Sequence, residues 1–91
     1  MKYTVKYSSL FKKSFKKCIK RGFDANAFRE VINILANDGC LPQKYKPHKL
    51  KGNYMGFWEC HIRPDWLLIW QQNDNELTLI LTDTGTHSDL F

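Results

Sequence analysis

The stretch His61-Ile62-Arg63-Pro64-Asp65-Trp66 determines how this chain can fold, because it joins two segments with strong strand signals. The segments Met55 to Ile62 and Trp66 to Gln72 are rich in aromatic and β-branched residues. Pro64 biases the residue before it toward an extended backbone, and the separator Arg63-Pro64-Asp65 has the length of a hairpin loop. The stretch therefore predicts a β-hairpin whose turn carries an imidazole, a guanidinium, a carboxylate and an indole.

A second turn extends this hairpin. The residues Asn73-Asp74-Asn75 are turn formers, and the segment Glu76 to Thr82 after them again has strand character. A short strand around Tyr45 to Lys51, followed by a turn at Gly52-Asn53, precedes the hairpin. We therefore expect an antiparallel β-meander in the second half of the chain.

The first half of the chain begins with a strand and continues with a helix. Residues 3–8 alternate polar and apolar side chains, as expected for a strand. From Ser9 the period becomes helical, and Gly22 is suited to end the helix with a left-handed cap. The apolar side chains that fall within an arc of roughly 100° on the helical wheel are Phe11, Phe15, Cys18 and Ile19.

A second amphipathic helix follows and completes a helical hairpin. Asp24 offers an N-cap, and the helix is predicted to end near Gly39. Its apolar stripe consists of Phe28, Val31, Ile32, Leu35 and Ala36. The predicted fold is α+β, a single domain over residues 1–91 in which an N-terminal strand and a helical hairpin precede the meander. The helices are expected to cover one face of an antiparallel sheet.

Composition limits the partners of this protein. Its 91 residues carry a formal charge of +5 and a pI near 9.2, which favours a polyanionic partner. There is no apolar run long enough for a transmembrane helix, and Met1 to Val5 lack the apolar core of a signal peptide. Three irregularly spaced cysteines predict neither a disulfide framework nor a zinc pattern. We expect no membrane association and a reducing, cytoplasmic location.

The meander predicts that the three histidines converge. The strand that ends at His61 and the strand that starts at Trp66 meet at one end of the sheet. The last strand returns to that end, so the tail Thr84 to Phe91 should bring His87 close to His61 and Asp65. Antiparallel pairing of the strand before Gly52 places His48 in the same half of the sheet, although its register is not fixed by the sequence.

These groups suit the cleavage of a phosphodiester. Histidine gives or takes a proton near neutral pH, and Arg63 offers a planar donor for phosphate oxygens. RNA carries its own nucleophile, the 2′-OH. A cut without metal needs a base for that hydroxyl, an acid for the leaving 5′ oxygen and cations around the phosphate. Trp66 and Phe91 could stack on bases.

Less specific interpretations remain open at this point. Any one histidine at a strand end is most often a solvated or hydrogen-bonded residue, and Trp66 is as often a core residue as a stacking platform. A zinc site formed by Cys60, His61 and His48 lacks the usual ligand spacing. The lysines of the first helix could be a solvated face or phosphate contacts; those assigned to substrate binding are Lys12, Lys13, Lys16 and Lys17.

Three segments of the chain resemble one known family. They are YKPHKLKG at residues 45–52, ECHIRPDWLLI at residues 59–69 and TGTHSDLF at residues 84–91. In order and spacing these segments resemble the YafQ branch of the RelE-type toxins of bacterial type II toxin–antitoxin pairs. The resemblance implies the β-α-α-β-β-β-β architecture of RelE-like and microbial-RNase-like proteins.

The resemblance also implies an activity and partners. It implies a ribosome-dependent messenger-RNA endoribonuclease that works without metal or cofactor and leaves a 2′,3′-cyclic phosphate. The implied partners are the ribosome and messenger RNA, a cognate antitoxin that neutralises the toxin, and operator DNA contacted only through the toxin–antitoxin complex. The lysine-rich first helix departs from the family pattern, which bears on ribosome affinity and not on the reaction.

Family roles carry over to the matching residues of this sequence. The resemblance implies that His87 is the general acid. It implies Asp65 as general base with His48 and His61 orienting the phosphate, and these three roles are interchangeable among themselves. Trp66 and Phe91 would shape the nucleotide pocket, and Arg63 lies in the same motif.

Two other functions remain compatible with the sequence. One is a catalytically silent module that binds RNA or the ribosome. The other is a degenerate toxin that acts as a regulatory partner of a small DNA-binding protein.

Overall fold

An N-terminal strand, two helices, four further strands and a short C-terminal helix follow one another in residues 2–91, which are the residues that this computed structural model describes. The helices are α1 (Ser9–Lys20), α2 (Ala25–Asp38) and α3 (His87–Leu90). The strands are β1 (Thr4–Tyr7), β2 (His48–Lys49), β3 (Trp58–Arg63), β4 (Trp66–Asn73) and β5 (Thr78–Gly85). The predicted α+β fold with a helical hairpin and a meander is confirmed.

The five strands form one mixed sheet in the order β1-β5-β4-β3-β2. The pairs β2–β3, β3–β4 and β4–β5 are antiparallel, as the hairpin-length turns predict. The expectation of an entirely antiparallel sheet is wrong at β1, which pairs in parallel with β5. Two helices separate β1 from the rest of the sheet, so no tight turn constrains its direction, and it occupies the free edge of β5.

Both long helices begin and end where the sequence predicts. Ser8 accepts a hydrogen bond from the backbone N–H of Phe11 at 2.9 Å, and Asp24 accepts one from that of Asn26 at 2.9 Å. These N-caps satisfy backbone donors that have no partner inside a helix. Gly39 caps α2 with a φ of 72°, and an added Cβ there would lie 2.6 Å from the Tyr3 hydroxyl oxygen.

Several strand boundaries differ from the predicted ones. The segment predicted as a strand from Tyr45 to Lys51 is mostly irregular and contains only the short β2, because Lys46 adopts a left-handed backbone and Pro47 has no N–H to donate. β3 begins at Trp58 and not at Met55, since Gly56 has a φ of 90°. β5 begins after Leu77, whose φ is 51°, and runs on to Gly85.

The main core lies between the helices and one face of the sheet. Phe11 stacks at 5.5 Å on Phe15 and at 5.7 Å on Phe28 between ring centroids, which joins α1 to α2. The sheet and α2 contribute the rest of this hydrophobic core. Its members are Trp66, Leu68 and Trp70 of β4, Cys60 and Ile62 of β3, Leu79 and Leu81 of β5, and the apolar stripe of α2. Leu67 and Ile69 are fully buried on the other face, so β4 is covered on both sides.

The apolar arc predicted for α1 is correct at Phe11 and Cys18 but wrong at Ile19. Phe11 and Cys18 are buried, whereas Ile19 is 38% exposed and lies at the edge of the arc. Within residues 2–91 no helix is both long and apolar enough to cross a membrane.

The two faces of α1 predict different mutational costs. Phe11→Ala should lower the free energy of unfolding by about 3–5 kcal/mol, because it leaves a cavity in a packed aromatic cluster. Ile19→Ala on the same helix should change it by less than about 1 kcal/mol, since its side chain is partly solvated. Urea denaturation of both variants measures this difference, and equal losses of stability would contradict the different packing of the two side chains.

Candidate active site

Three imidazole rings form a row at one end of the sheet. The centroid of the His61 ring lies 6.5 Å from that of His48 and 5.7 Å from that of His87. β2 places His48 opposite Glu59, two residues before His61 on β3. The predicted convergence of the three histidines is confirmed.

Asp65 holds His87 in place through two hydrogen bonds. One Asp65 carboxylate oxygen, Oδ1, accepts the backbone N–H of His87 at 3.0 Å and lies 2.7 Å from its ring nitrogen Nδ1. The backbone bond first, and then the side-chain bond, lower the pKa of Asp65 below the ordinary value of an aspartate. Since a carboxylate can only accept, Nδ1 carries the hydrogen and Nε2 of His87 points away from this contact.

The short helix that carries His87 is fixed by a capping box and by an ion pair. Thr86 and Asp89 form a capping box, in which each side chain accepts the backbone N–H of the other residue. Arg21, just after α1, donates to Asp89 at 2.7 Å. That bond, followed by the Thr86 backbone bond, lowers the pKa of Asp89. The C-terminal tail is thereby attached to the helical hairpin.

His48 is engaged on both sides of its ring. Nδ1 lies 2.8 Å from the backbone carbonyl oxygen of Lys46, and Nε2 lies 3.2 Å from Oε1 of Glu59. His61 differs from both of its neighbours, because its ring nitrogens make no hydrogen bond to any other residue in the described part of the chain.

Cations surround this end of the sheet. Arg63 is exposed, with a guanidinium nitrogen 3.7 Å from Asp24, and it lines two cavities. The first has a volume of about 360 Å³ and also contains His61, Lys44 and Lys46. The second, of about 440 Å³, lies between Arg21, Phe23, Asp65, Trp66 and Thr86. The cavity that holds His61 thus combines three cations with one acid, Glu30, and its charge balance favours a phosphate.

The two aromatic residues predicted to bind bases have different environments. Phe91 is 63% exposed, and its ring meets that of Tyr54 edge-on at 5.8 Å between centroids. Trp66 is 2% exposed, so the prediction that it stacks on a base is wrong. Its indole N–H donates to the Thr84 hydroxyl at 2.9 Å, which in turn donates to the Leu67 carbonyl at 2.6 Å, because a buried indole needs an acceptor.

The remaining predicted residues lie away from the imidazole row or face the core. The Lys12, Lys13, Lys16 and Lys17 side chains of α1 are exposed. Cys60 is fully buried among apolar residues, and burial raises the pKa of its thiol. The alternating pattern of β3 directs Cys60 toward the core and His61 toward the opposite face. The alternative zinc site of Cys60, His61 and His48 is therefore not formed.

Sequence reasoning missed several residues that support the site. Glu59, Arg21 and Asp89 hold the histidines or the tail, and Lys44 and Lys46 add positive charge. Glu59 precedes His61 by two residues and therefore lies on the same face of β3. This spacing could have predicted Glu59 as a site residue. The contact between Arg21 and Asp89 joins residues 68 positions apart, and no local pattern indicates such a pair.

The family model described as "Bacterial toxin of type II toxin-antitoxin system, YafQ" matches residues 3–91. The chain belongs to the YafQ toxin family.

Three relatives of this YafQ family member match it over nearly their full lengths. The mRNA interferase toxin YafQ of Escherichia coli strain K12 is 36% identical over 88 residues, which cover 96% of this chain and 94% of that protein. The toxin chain in the crystal structure of the E. coli DinJ-YafQ complex has a TM-score of 0.87 and 36% identity, and the match covers 98% of each chain. A metal-bound toxin from Helicobacter pylori has a TM-score of 0.88 and 43% identity, with 98% of this chain and 99% of that chain covered.

The bond between Arg21 and Asp89 predicts a pH-dependent stability. A pKa lowered by folding means that the folded state binds fewer protons, so Asp89 stabilises the protein above the ordinary aspartate pKa of about 3.9. That contribution is lost as pH falls through the lowered value. Asp89→Asn should therefore reduce the thermal midpoint more at pH 6 than at pH 2.5, measured by circular dichroism. Asp38→Asn, at the exposed end of α2, is the control and should show no such difference.

Proposed function

We propose that this protein is a ribosome-dependent messenger-RNA endoribonuclease, the toxin of a type II toxin–antitoxin pair. Family membership supports the toxin assignment. The observation that carries the chemistry is the arrangement of His87 and His61, in which one imidazole is anchored to a carboxylate and the next is left unengaged. Two neighbouring imidazoles of this kind can act as an acid and a base on one phosphodiester.

His87 is the general acid in this proposal. Its Nδ1–H donates to Asp65, which leaves Nε2 to carry the proton that is transferred. The Asp65 carboxylate lies next to the positive charge that the ring carries when it acts as an acid. The backbone bond from His87 to Asp65 and the capping box fix the direction of that ring. The family role implied for His87 is therefore retained.

His61 is a better general base than Asp65. The implied assignment of Asp65 as base conflicts with its two hydrogen bonds from His87 and with its lowered pKa, both of which reduce its affinity for a proton. His61 has ring nitrogens free to accept a proton and lies beside His87. We therefore assign Asp65 to positioning His87, and His61 to the 2′-OH.

The proposed reaction needs no water and no redox partner. His61 takes the proton of the 2′-OH, and the 2′ oxygen forms a bond to the adjacent phosphorus. The bond from phosphorus to the 5′ oxygen breaks, and His87 donates its proton to that oxygen. The products are a 2′,3′-cyclic phosphate and a 5′-OH. Arg63, Lys44 and Lys46 are placed to offset the charge that develops on the phosphate.

The partners follow from family membership and charge. An E. coli relative has been crystallised as a DinJ-YafQ complex, and we propose that a cognate antitoxin likewise covers the basic end of this sheet with acidic or apolar segments. Operator DNA would be contacted only through that complex. The exposed lysines of α1 would contact ribosomal RNA, and the exposed ring of Phe91 would stack on a base of the messenger.

A metal ion is not used in the proposed steps. One relative from H. pylori is described as metal-bound. Within residues 2–91 no group of three or more His, Cys, Asp or Glu side chains has the arrangement to hold a metal ion. We propose acid–base cleavage because His87 and His61 together can supply an acid and a base.

The role of His87 predicts a large loss of cleavage. His87→Ala should reduce the single-turnover rate of messenger cleavage on programmed ribosomes by about 10²–10⁴, the usual contribution of a positioned acid. Ser88→Ala, on the same short helix, should cut at the rate of the wild type. Fragment ends mapped by primer extension provide the measurement.

The same assay separates the competing functions. Slowed translation without discrete fragments would favour a silent ribosome-binding module over an endoribonuclease. Loss of cutting by the wild type in a chelator, at a magnesium level that keeps ribosomes intact, would contradict the metal-free reaction.

The lysines of α1 predict a salt-dependent affinity. Lys12→Gln with Lys16→Gln should weaken ribosome binding and reduce the slope of log affinity against log salt by about 0.7–0.9 for each lost phosphate contact. The charge-matched control is Lys2→Gln with Lys6→Gln at the N-terminal strand. Filter binding over a series of salt concentrations tests this, and equal slopes for the two variants would assign the α1 lysines to a solvated face.

A further inference from the structure

Glu59 is a buried acid that the proposed reaction does not use. It lies on β3, between His48 of β2 and Ile69 of β4, and it is only 4% exposed although its side chain ends in a carboxyl group. Its Oε1 lies 3.2 Å from Nε2 of His48, and its Oε2 is buried with no hydrogen-bond partner among residues 2–91. A buried carboxylate is costly unless another charge compensates it. His48 is the cation within reach.

The partners of His48 determine how many protons its ring carries. The Lys46 carbonyl oxygen can only accept, so the Nδ1 atom that lies 2.8 Å from it must be protonated. If Nε2 were bare, its lone pair would face the Glu59 carboxylate at 3.2 Å, which is repulsive. One proton must therefore lie between Nε2 and Oε1. The side chain of His48 is 46% exposed, so water stabilises a positive charge on its ring, and that charge compensates the buried carboxylate of Glu59. We therefore assign the proton to Nε2.

We propose that Glu59 is a positioning residue that holds His48 as a doubly protonated imidazolium, so that His48 acts as a fixed positive charge and not as a proton acceptor. The kinetic part of this inference rests on the proposed function, and the protonation state does not. With both nitrogens engaged, His48 cannot take the 2′-OH proton. Its charge lies beside His61, where the phosphate would be attacked.

The fold supports this pairing in two ways. β2 and β3 pair with His48 directly opposite Glu59, so adjacent strands set the separation of the two side chains. The left-handed backbone of Lys46 and the following Pro47 turn the Lys46 carbonyl toward the ring of His48. The imidazole is therefore held from the sheet on one side and from the loop on the other.

Nitrogen-15 NMR of the His48 ring tests the protonation state without any substrate. In the wild type at pH 7, both ring nitrogens should show chemical shifts of protonated imidazole nitrogens. In Glu59→Gln, the amide can donate to Nε2 and preserve the contact, so Nε2 should take the shift of an unprotonated nitrogen. A bare Nε2 in the wild type would overturn the inference.

A double-mutant cycle tests the functional consequence. Glu59→Gln should lower the single-turnover cleavage rate by about 10–100-fold, the range usual for outer partners of functional histidines. In a His48→Ala background the same substitution should have no further effect. Equal losses in both backgrounds would indicate a structural role, and an unchanged rate would deny any role; either result overturns the inference.

Matched controls separate this inference from the proposed function. Glu76→Gln, an exposed acid in the turn after β4, should leave the cleavage rate unchanged. Wild-type protein that cuts messenger, combined with Glu59→Gln that cuts equally well, would refute the role of Glu59 and leave the endoribonuclease intact. Wild-type protein that fails to cut would refute the endoribonuclease, while the NMR result would still decide the state of His48.

Discussion

The hydrogen bonds between Asp65 and His87 are the contact on which the candidate site depends. They join the turn of a hairpin to the C-terminal tail, across 22 positions of sequence, and both end on the same carboxylate oxygen. Two donors on one oxygen fix the backbone and the ring of His87 together. Without that contact the His87 ring would lose the hydrogen bond that orients it beside His61, although the capping box and the bond from Arg21 to Asp89 would still hold the short helix.

The sheet makes this contact available because antiparallel strands return the chain to the same end. β4 is buried on both faces, and the bonds from Trp66 to Thr84 and from Thr84 to Leu67 hold the adjoining ends of β4 and β5 together. Asp65 and the tail each follow directly from one of these ends. Buried Trp66 therefore stabilises the strand ends next to the site, although its ring is too buried to stack on a nucleotide.

The imidazole row has a regular electrostatic arrangement. A carboxylate contacts each outer ring, Asp65 at His87 and Glu59 at His48, and the central His61 has aromatic neighbours on both sides. Identical side chains can perform different tasks when their partners differ, because the partner determines which nitrogen carries a proton. In our assignment the three rings are an acid, a base and a fixed charge.

The sequence by itself determined the type and order of the main helices and strands, though not several strand boundaries, and it determined the end of the sheet where the site lies. Local signals specify local structure. Those present here are the turn residues at 63–65 and 73–75, the helical caps at Asp24 and Gly39, and the strand and helix periods of the apolar residues. The same local signals predicted that the histidines converge. Two consecutive hairpin turns bring the end of β3, the start of β4 and the end of β5 to the same end of the sheet. The YafQ resemblance came from the same segments, because they hold the side chains at that end.

Only the tertiary structure decided which side chains are free to react. Trp66 is buried through packing against Phe15 and Phe23 on the helical hairpin. Three other contacts also depend on the tertiary structure. β1 pairs in parallel with β5, and Arg21 bonds to Asp89, between segments that no tight turn connects. Glu59 lies opposite His48 in a register that no turn residue specifies. Exposure, hydrogen-bond partners and protonation depend on such long-range neighbours, and a linear pattern does not encode them.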